Sequence, residues 1–206
     1  MKVLLVNGSP HEKGTTYGAL SVVEKILREN GVETEIFWLG NKPISGCMGC
    51  GACAKLGKCV IDDCVNVFLE KSKEADGFIF GSPVHYAAAS GSITSFMDRL
   101  FYGRASVFCG KPAASVVCAR RAGTTAALDQ LNKYYSISGM PQVPSQYWNM
   151  AHGTKAEDIE QDEEGMQILR SLGRNMAWLL ECIDAGKKAG ISYPEREPQI
   201  RTNFVR

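Results

Sequence analysis

The sequence predicts an α/β fold with a five-stranded parallel sheet covered by helices on both faces. Three observations carry that expectation. Short apolar runs alternate with longer stretches of helical periodicity, five times in succession. No repeat, linker or low-complexity segment interrupts the alternation. The chain has 206 residues, 45% of them hydrophobic, which is enough for one domain with a sizeable core.

The elements follow in order. "KVLLVNG" (2–8) reads as a strand buried on both faces, and "TTYGALSVVEKILREN" (15–30) as a helix with Leu20, Val23 and Leu27 on one side. Gly31 stops that helix. "VETEIFWLG" (32–40) is the second strand, followed by a cysteine-rich loop and a short helix over 64–75. "DGFIFGSP" (76–83) is the third strand, and 90–102 is helical with Ser90 as N-cap. "KPAASVVCAR" (111–120) is the fourth strand and 124–138 the next helix. "PQVPSQYW" (141–148) reads as an edge strand because of its prolines, and a long helix over 162–190 closes the domain. Residues 191–206 are polar and proline-bearing, and are expected to form a loosely ordered tail or to lie on a partner subunit.

The charge balance excludes some functions. A formal net charge of +1 gives no attraction to nucleic acid or to an anionic membrane. The apolar start before Asn7 is too short for a signal-peptide core, and no run approaches the length of a membrane span. A reducing cytoplasm is therefore expected, where a static disulfide framework is not. The eight cysteines then need another explanation, and five of them lie between 47 and 64.

Ligands of such sheets bind beyond the carboxyl ends of the strands. Three of those ends have distinctive chemistry. "NGSPHEKGTT" (7–16) offers the hydroxyls of Ser9, Thr15 and Thr16 and the amides at a helix start, a cradle for phosphate. It is neither a Walker A loop nor a GxGxxG turn, which favours a single terminal phosphate. An ordinary strand-to-helix turn with a serine cap is the alternative at this point. "GSPVHYAAASGS" (81–92) has a stiff proline exit, small residues that admit a flat ring, and Tyr86 to stack on one. His85 there is more simply read as polar surface than as an acid or base. "CARRAGTT" (118–125) brings Arg120 and Arg121 to neutralise anionic charge, or to sit solvated on a loop. Together the three loops indicate one pocket for a flat, phosphorylated cofactor.

"NGSP…KGTT", "GSPVHYAAASGSITSFMDR" and "ARRAGTTAALDQLNKYYSISGM", in that order, resemble the flavodoxin-like NAD(P)H-dependent FMN reductases, in particular the group that includes the iron–sulfur flavoproteins. The resemblance runs from Met1 to about Gly190. It implies a flavodoxin-like three-layer sandwich with strand order 2-1-3-4-5, occupying 1–190 and carrying the cysteine-rich loop 46–64. It implies FMN as cofactor, with Ser9, Thr15, Thr16 and His11 on the phosphate. Pro83, Val84, His85 and Tyr86 would border the isoalloxazine ring and ribityl chain. Ala119, Arg120 and Gly123 would close the ring's pyrimidine edge, where amides and a cation favour the reduced flavin. Asp98 and Arg99 read as a helix-surface ion pair or an interface contact. The family implies a homodimer or homotetramer, with Trp148 expected near a neighbour's flavin or in an oligomer contact.

The cysteine spacing Cys47-x2-Cys50-x2-Cys53-x5-Cys59 resembles the compact motif of the iron–sulfur flavoproteins, which implies a 4Fe–4S cluster. Three thiolates at every third residue can meet three corners of a cube while a fourth reaches back, although the last spacing differs from the bacterial ferredoxin run. Zinc held by Cys47, Cys50, Cys59 and Cys64 is one alternative, a redox pair such as Cys50 and Cys53 is another, and free thiols without a cluster are a third. Cys64, Cys109, Cys118 and Cys182 are expected to be buried as small apolar residues.

The resulting expectation is an FMN-dependent oxidoreductase that takes electrons from NAD(P)H to a quinone, flavin, aromatic or protein acceptor. It needs no general acid or base, and the sequence offers no Ser/His/Asp or paired-carboxylate constellation. A non-enzymatic flavodoxin-like or iron–sulfur electron carrier and a cysteine-based redox sensor are the alternatives. Near-neutral charge is a weak argument against the carrier.

Overall fold

A computed structural model describes residues 1–198 together with Ile200, Thr202 and Phe204. Of the expected tail, Gln199, Arg201, Asn203, Val205 and Arg206 lie outside the described residues.

Five parallel strands form the sheet: β1 (Lys2–Asn7), β2 (Glu33–Trp38), β3 (Gly77–His85), β5 (Ala113–Ala119) and β6 (Met150–His152). Their order is β2-β1-β3-β5-β6, and the two-residue strand β4 (Ala88–Ala89) pairs antiparallel with β3. Counting parallel strands only, this is the expected 2-1-3-4-5 arrangement of the flavodoxin-like fold. The helices are α1 (Thr15–Glu29), α2 (Cys53–Leu56), α3 (Cys64–Ser72), α4 (Gly91–Arg104), α5 (Thr124–Ser138) and α6 (Glu163–Lys188).

The central strands β1, β3 and β5 have no polar face because both faces are covered, whereas the edge strand β2 carries Glu33 and Glu35. Leu4, Val6, Phe78 and Phe80 pack with α3, α4 and α5, where Phe68 meets Phe96 edge to face at 5.3 Å. Val3, Leu5, Ile79 and Val116 point the other way, into the layer formed with α1 and α6. Gly81 brings the layers close at the site end. A side chain there would stand 2.8 Å from Leu20 and 2.9 Å from the Thr16 methyl, so only glycine lets the start of α1 lie against β3.

The last strand departs from expectation. Residues 141–148 contribute a single bridge, Ala113 to Gln142, and the strand itself is Met150–His152. Pro141 can accept from the Ala113 amide and Val143 can donate to the Ala113 carbonyl, both at 2.9 Å. Pro144 has no N–H to continue the ladder. The chain loops out after Val143 and pairs with β5 again from Met150 onwards.

Two side-chain expectations also change. Asp98 and Arg99 do not pair with each other, because consecutive helical residues point about 100° apart. Asp98 instead accepts a hydrogen bond from the Tyr134 hydroxyl, while Arg99 is buried and pairs with Asp63. Cys118 is buried, and Cys64 and Cys109 are partly buried, but Cys182 is exposed. The buried positions of α6 include Leu169, Leu172, Met176 and Leu180, a stripe that leaves residue 182 facing outward. In the tail, the Tyr193 hydroxyl donates to the Gly139 carbonyl at 2.9 Å.

Candidate functional site

A cavity of about 780 Å³ opens where β1, β3, β5 and β6 end, within the size range of small-molecule sites. Its walls include Ser9, His11, Thr15, Thr16, Pro83, Val84, His85, Ala119 and Arg120. Three loops far apart in sequence thus meet at one place, as the strand-end rule requires.

The β1–α1 loop is shaped by its own hydrogen bonds. The Asn7 amide side chain donates to the Glu12 carbonyl, and its oxygen accepts from the Ser9 amide. The Ser9 hydroxyl accepts from the His11 amide at 3.1 Å, which leaves its own proton to donate outward. The Trp38 indole donates to the Ser9 carbonyl at 2.9 Å and fixes the loop from the β2 side. The residue that caps α1 is Gly14, which supplies no side-chain acceptor, and the first turn carries no acid. The amides and positive dipole end of α1 therefore remain available to an anion.

Thr16 strengthens that reading. Its hydroxyl is buried and makes no hydrogen bond. Such a group costs free energy unless a ligand satisfies it. Cys118 lies beside it, and burial pushes that thiol's pKa up to about 12. A neutral thiol is a weak partner, so it does not replace a phosphate oxygen. An orphaned hydroxyl, a free serine proton and an uncapped helix end together fit the phosphate of FMN.

The second loop is a two-residue hairpin between β3 and β4, with Val84 opposite Ala89 and His85 opposite Ala88. Its turn residues, Tyr86 and Ala87, both have positive φ, at 48° and 62°. That is the geometry usually given to Asn-Gly, held here by non-glycine residues. Tyr86 is fully exposed at the tip and is not part of the cavity wall. Gly123, with φ of 92°, lies under the same tip, where an added Cβ would stand 2.6 Å from the Ala87 Cα. Gly123 thus seats the third loop against the hairpin without itself lining the cavity. Ser90 ties the hairpin to the first loop by donating to the Gly8 carbonyl at 2.9 Å.

The cavity has walls beyond those expected from sequence: Trp38 and Asn41 after β2, and Gly153 to Glu157 after β6. Trp38 was legible as a strand-end residue. The 153–157 segment was not, because the three-residue strand before it carries no periodicity in the sequence. Asp158 braces that segment by accepting from the Thr154 amide and hydroxyl and the Lys155 amide, and these donors hold its carboxyl below the usual range. Lys13, Arg120 and Lys155 set three cations around the opening against Glu12 and Glu157.

The cysteines lie elsewhere. Cys47, Cys50, Cys53 and Cys59 line a separate small cavity with Arg99 and Tyr102, and it shares no residue with the first. Cys64 is outside it, and burial raises its thiol pKa. Among the described residues, no three His, Cys, Asp or Glu side chains gather closely enough for a single metal ion. Tetrahedral zinc needs sulfurs about 3.8 Å apart, given zinc–sulfur bonds of about 2.3 Å. A cluster accepts one thiolate per iron at wider spacing, which fits four thiols around one cavity. Trp148 is half-exposed, stacked edge-on with Tyr147 near the start of β6.

Residues 1–155 match the family model described as NADPH-dependent FMN reductase. An iron–sulfur flavoprotein of Methanocaldococcus jannaschii is 32% identical over 194 residues, covering 89% of this chain and 99% of that one. One from Archaeoglobus fulgidus is 30% identical over 190 residues, covering 87% and 97%. Among solved structures, RosB with bound 8-demethyl-8-formylriboflavin-5′-phosphate superimposes with a TM-score of 0.71 at 16% identity, over 100% of this chain and 92% of that one. At that identity the structural match speaks for the fold alone. The sequence matches and the strand-end cavity lead to one conclusion: this chain belongs to the NADPH-dependent FMN reductase family.

Proposed function

We propose that the protein is an FMN-dependent oxidoreductase that draws electrons from NAD(P)H and delivers them to a small-molecule or protein acceptor. The observation that carries this is the uncapped start of α1 at the wall of the 780 Å³ cavity, where the Thr16 hydroxyl is buried without a hydrogen-bond partner. FMN, when bound, supplies hydride acceptance and its return to an acceptor. The chain's own residues bind and orient. Ser9, Thr15, Thr16 and the first-turn amides of α1 would hold the phosphate, with His11 beside them. Pro83, Val84 and His85 would form one wall for the ring, and Ala119 and Arg120 the other. The exposed Arg120 guanidinium would favour a reduced, anionic ring. Tyr86 and Gly123 act on the wall through the hairpin turn rather than by lining it.

In this reading Cys47, Cys50, Cys53 and Cys59 hold a 4Fe–4S cluster, supported by their common cavity and by the iron–sulfur flavoprotein relatives. A cluster beside a flavin fold suits a protein that converts between two-electron and one-electron transfer. We place the FMN domain at 1–190 and expect a homodimer or homotetramer. Among the described residues, no helix is long and apolar enough to cross a membrane.

The test is anaerobic purification, followed by flavin identification, iron and sulfide assay, and titration of apoprotein with FMN and with riboflavin. FMN should bind and quench, riboflavin should bind far more weakly, and NAD(P)H should bleach the bound flavin. Equal affinity for riboflavin would overturn the phosphate assignment. Flavin that NAD(P)H leaves oxidised would favour the electron carrier.

A further inference from the structure

Arg99 is an unusual residue in this molecule, because its charged side chain is only 1% exposed. A guanidinium has five N–H donors. All five are used. Nε donates to the Cys59 sulfur at 3.3 Å, Nη1 to the Ser45 carbonyl and Asp63, and Nη2 to the Ile61 carbonyl and Asp63. The Asp63 carboxylate is gripped by both arms at 2.6 and 2.9 Å, and it also caps α3 by accepting from the Val65 amide. One sulfur is therefore the sole non-oxygen acceptor on a fully engaged, buried cation.

Cys59 is held from its backbone as well. The Asn66 side chain accepts from the Cys59 amide at 2.9 Å and donates to its carbonyl at 3.0 Å. Asn66 is itself buried. Cys47 and Cys50, by contrast, sit exposed on a glycine-rich stretch. The fourth cysteine is thus held at both backbone and sulfur, while Cys47 accepts only from the Gly49 amide, at 3.5 Å.

We propose that Arg99, seated by Asp63 and aided by Asn66, presets Cys59 as the anchoring ligand of the cluster, and that its bond to the ligand sulfur raises the cluster's reduction potential. This rests on the cluster reading given above. Hydrogen bonds to ligand sulfurs are among the determinants of cluster potential, and second-shell donors orient first ligands. Reduction adds one negative charge to the cluster. A cation and an N–H donor in a water-poor setting stabilise that extra charge more than they stabilise the oxidised form. Arg99 is accordingly a positioning residue. Asp63 offsets much of its charge, so the directional N–H bond to sulfur carries the effect.

The experiment is a redox titration of the purified holoprotein, with the cluster followed by electron paramagnetic resonance and the flavin by absorbance. Wild type is compared with R99K, R99Q and N66A, and iron, sulfide and FMN are counted in each. We expect R99Q to shift the cluster potential negative, R99K to shift it less, and the flavin potential to stay unchanged in both. N66A should lower iron content with FMN content intact. Loss of iron from both Arg99 variants, with FMN still stoichiometric, would support the anchoring role. Full cluster content at the wild-type potential in R99Q would overturn the proposal and leave Arg99 a structural clamp. An R99Q chain that fails to fold transfers the decision to R99K, whose unchanged potential would overturn it equally. Wild-type protein without iron would instead overturn the cluster reading, a result obtained before any variant is made.

Discussion

Thr16 shows how a single residue can cost stability and serve binding. Its hydroxyl is buried without a partner, while its methyl packs against Gly81. Thr16→Val keeps the shape and removes the orphan. The apoprotein should become equally or more stable, by up to about 1 kcal/mol in urea unfolding. FMN affinity should fall about tenfold or more, because a hydrogen bond to a charged group is worth about 1.5–3 kcal/mol. A variant that loses stability but keeps its affinity would place Thr16 outside the phosphate site. Cys118 gives a pH prediction. Its thiol pKa is pushed up to about 12 by burial, against an ordinary value of 9.0. The native state holds that proton more tightly than the unfolded chain does. The stability it contributes is complete below about pH 9 and is lost as pH rises towards 12. Alkaline unfolding of the apoprotein should be less steep in Cys118→Ala, and the native thiol should resist alkylation at pH 8. The sequence presented Arg99 beside Asp98, and adjacency was misleading. Its partner Asp63 lies 36 residues away in sequence and is brought close by the docking of the cysteine loop on α4.

Among the elements, the β3–β4 hairpin carries the most testable strain. Tyr86 and Ala87 occupy the left-handed region, which costs a non-glycine residue about 1–2 kcal/mol. Ala87→Gly should stabilise the apoprotein by about 1 kcal/mol, read from the urea midpoint at unchanged slope. Gly123→Ala should do the reverse and cost about 2 kcal/mol or more, because its φ is 92° and its Cβ would meet the Ala87 backbone at 2.6 Å. If the pair sets the ring wall, both substitutions weaken FMN binding although they move stability in opposite directions. Unchanged affinity in both would show that the hairpin is only a connection. Most helices and strands were legible because apolar spacing survives in the sequence, as in Leu20, Val23 and Leu27 of α1. β6 was not. Three residues carry no periodicity, and the apolar content of 141–148 gave a stronger signal than Met150–His152. Missing hydrogen bonds at the prolines decided the register, and those depend on what β5 offers.

At the scale of the whole molecule, cofactor and fold should be linked. FMN at a hundred times its dissociation constant adds about 2.7 kcal/mol to the native state. For a domain of this size that raises the melting temperature by about 5–10 °C, measurable by scanning fluorimetry. Riboflavin at the same concentration should give a much smaller rise. Equal rises would remove the phosphate from the account. The two cavities share no lining residue, so metal chelation should leave the FMN-dependent increment nearly unchanged. A lost increment would show that the cysteine loop supports the flavin site.

The layer architecture, the parallel sheet and the loops that would carry the ligand chemistry are written in the linear pattern of the chain. Those features rest on local spacing: buried runs, helical periodicity, and hydroxyls and glycines just after a strand. Tertiary structure alone decided which of those residues share a wall. It turned Tyr86 out to solvent, brought Trp38 and the 153–157 segment in, and set Cys59 against a buried arginine. The physical reason is that strand-end loops converge only through sheet order and register. A buried cation finds its acceptors through packing between elements that no local pattern in the chain records.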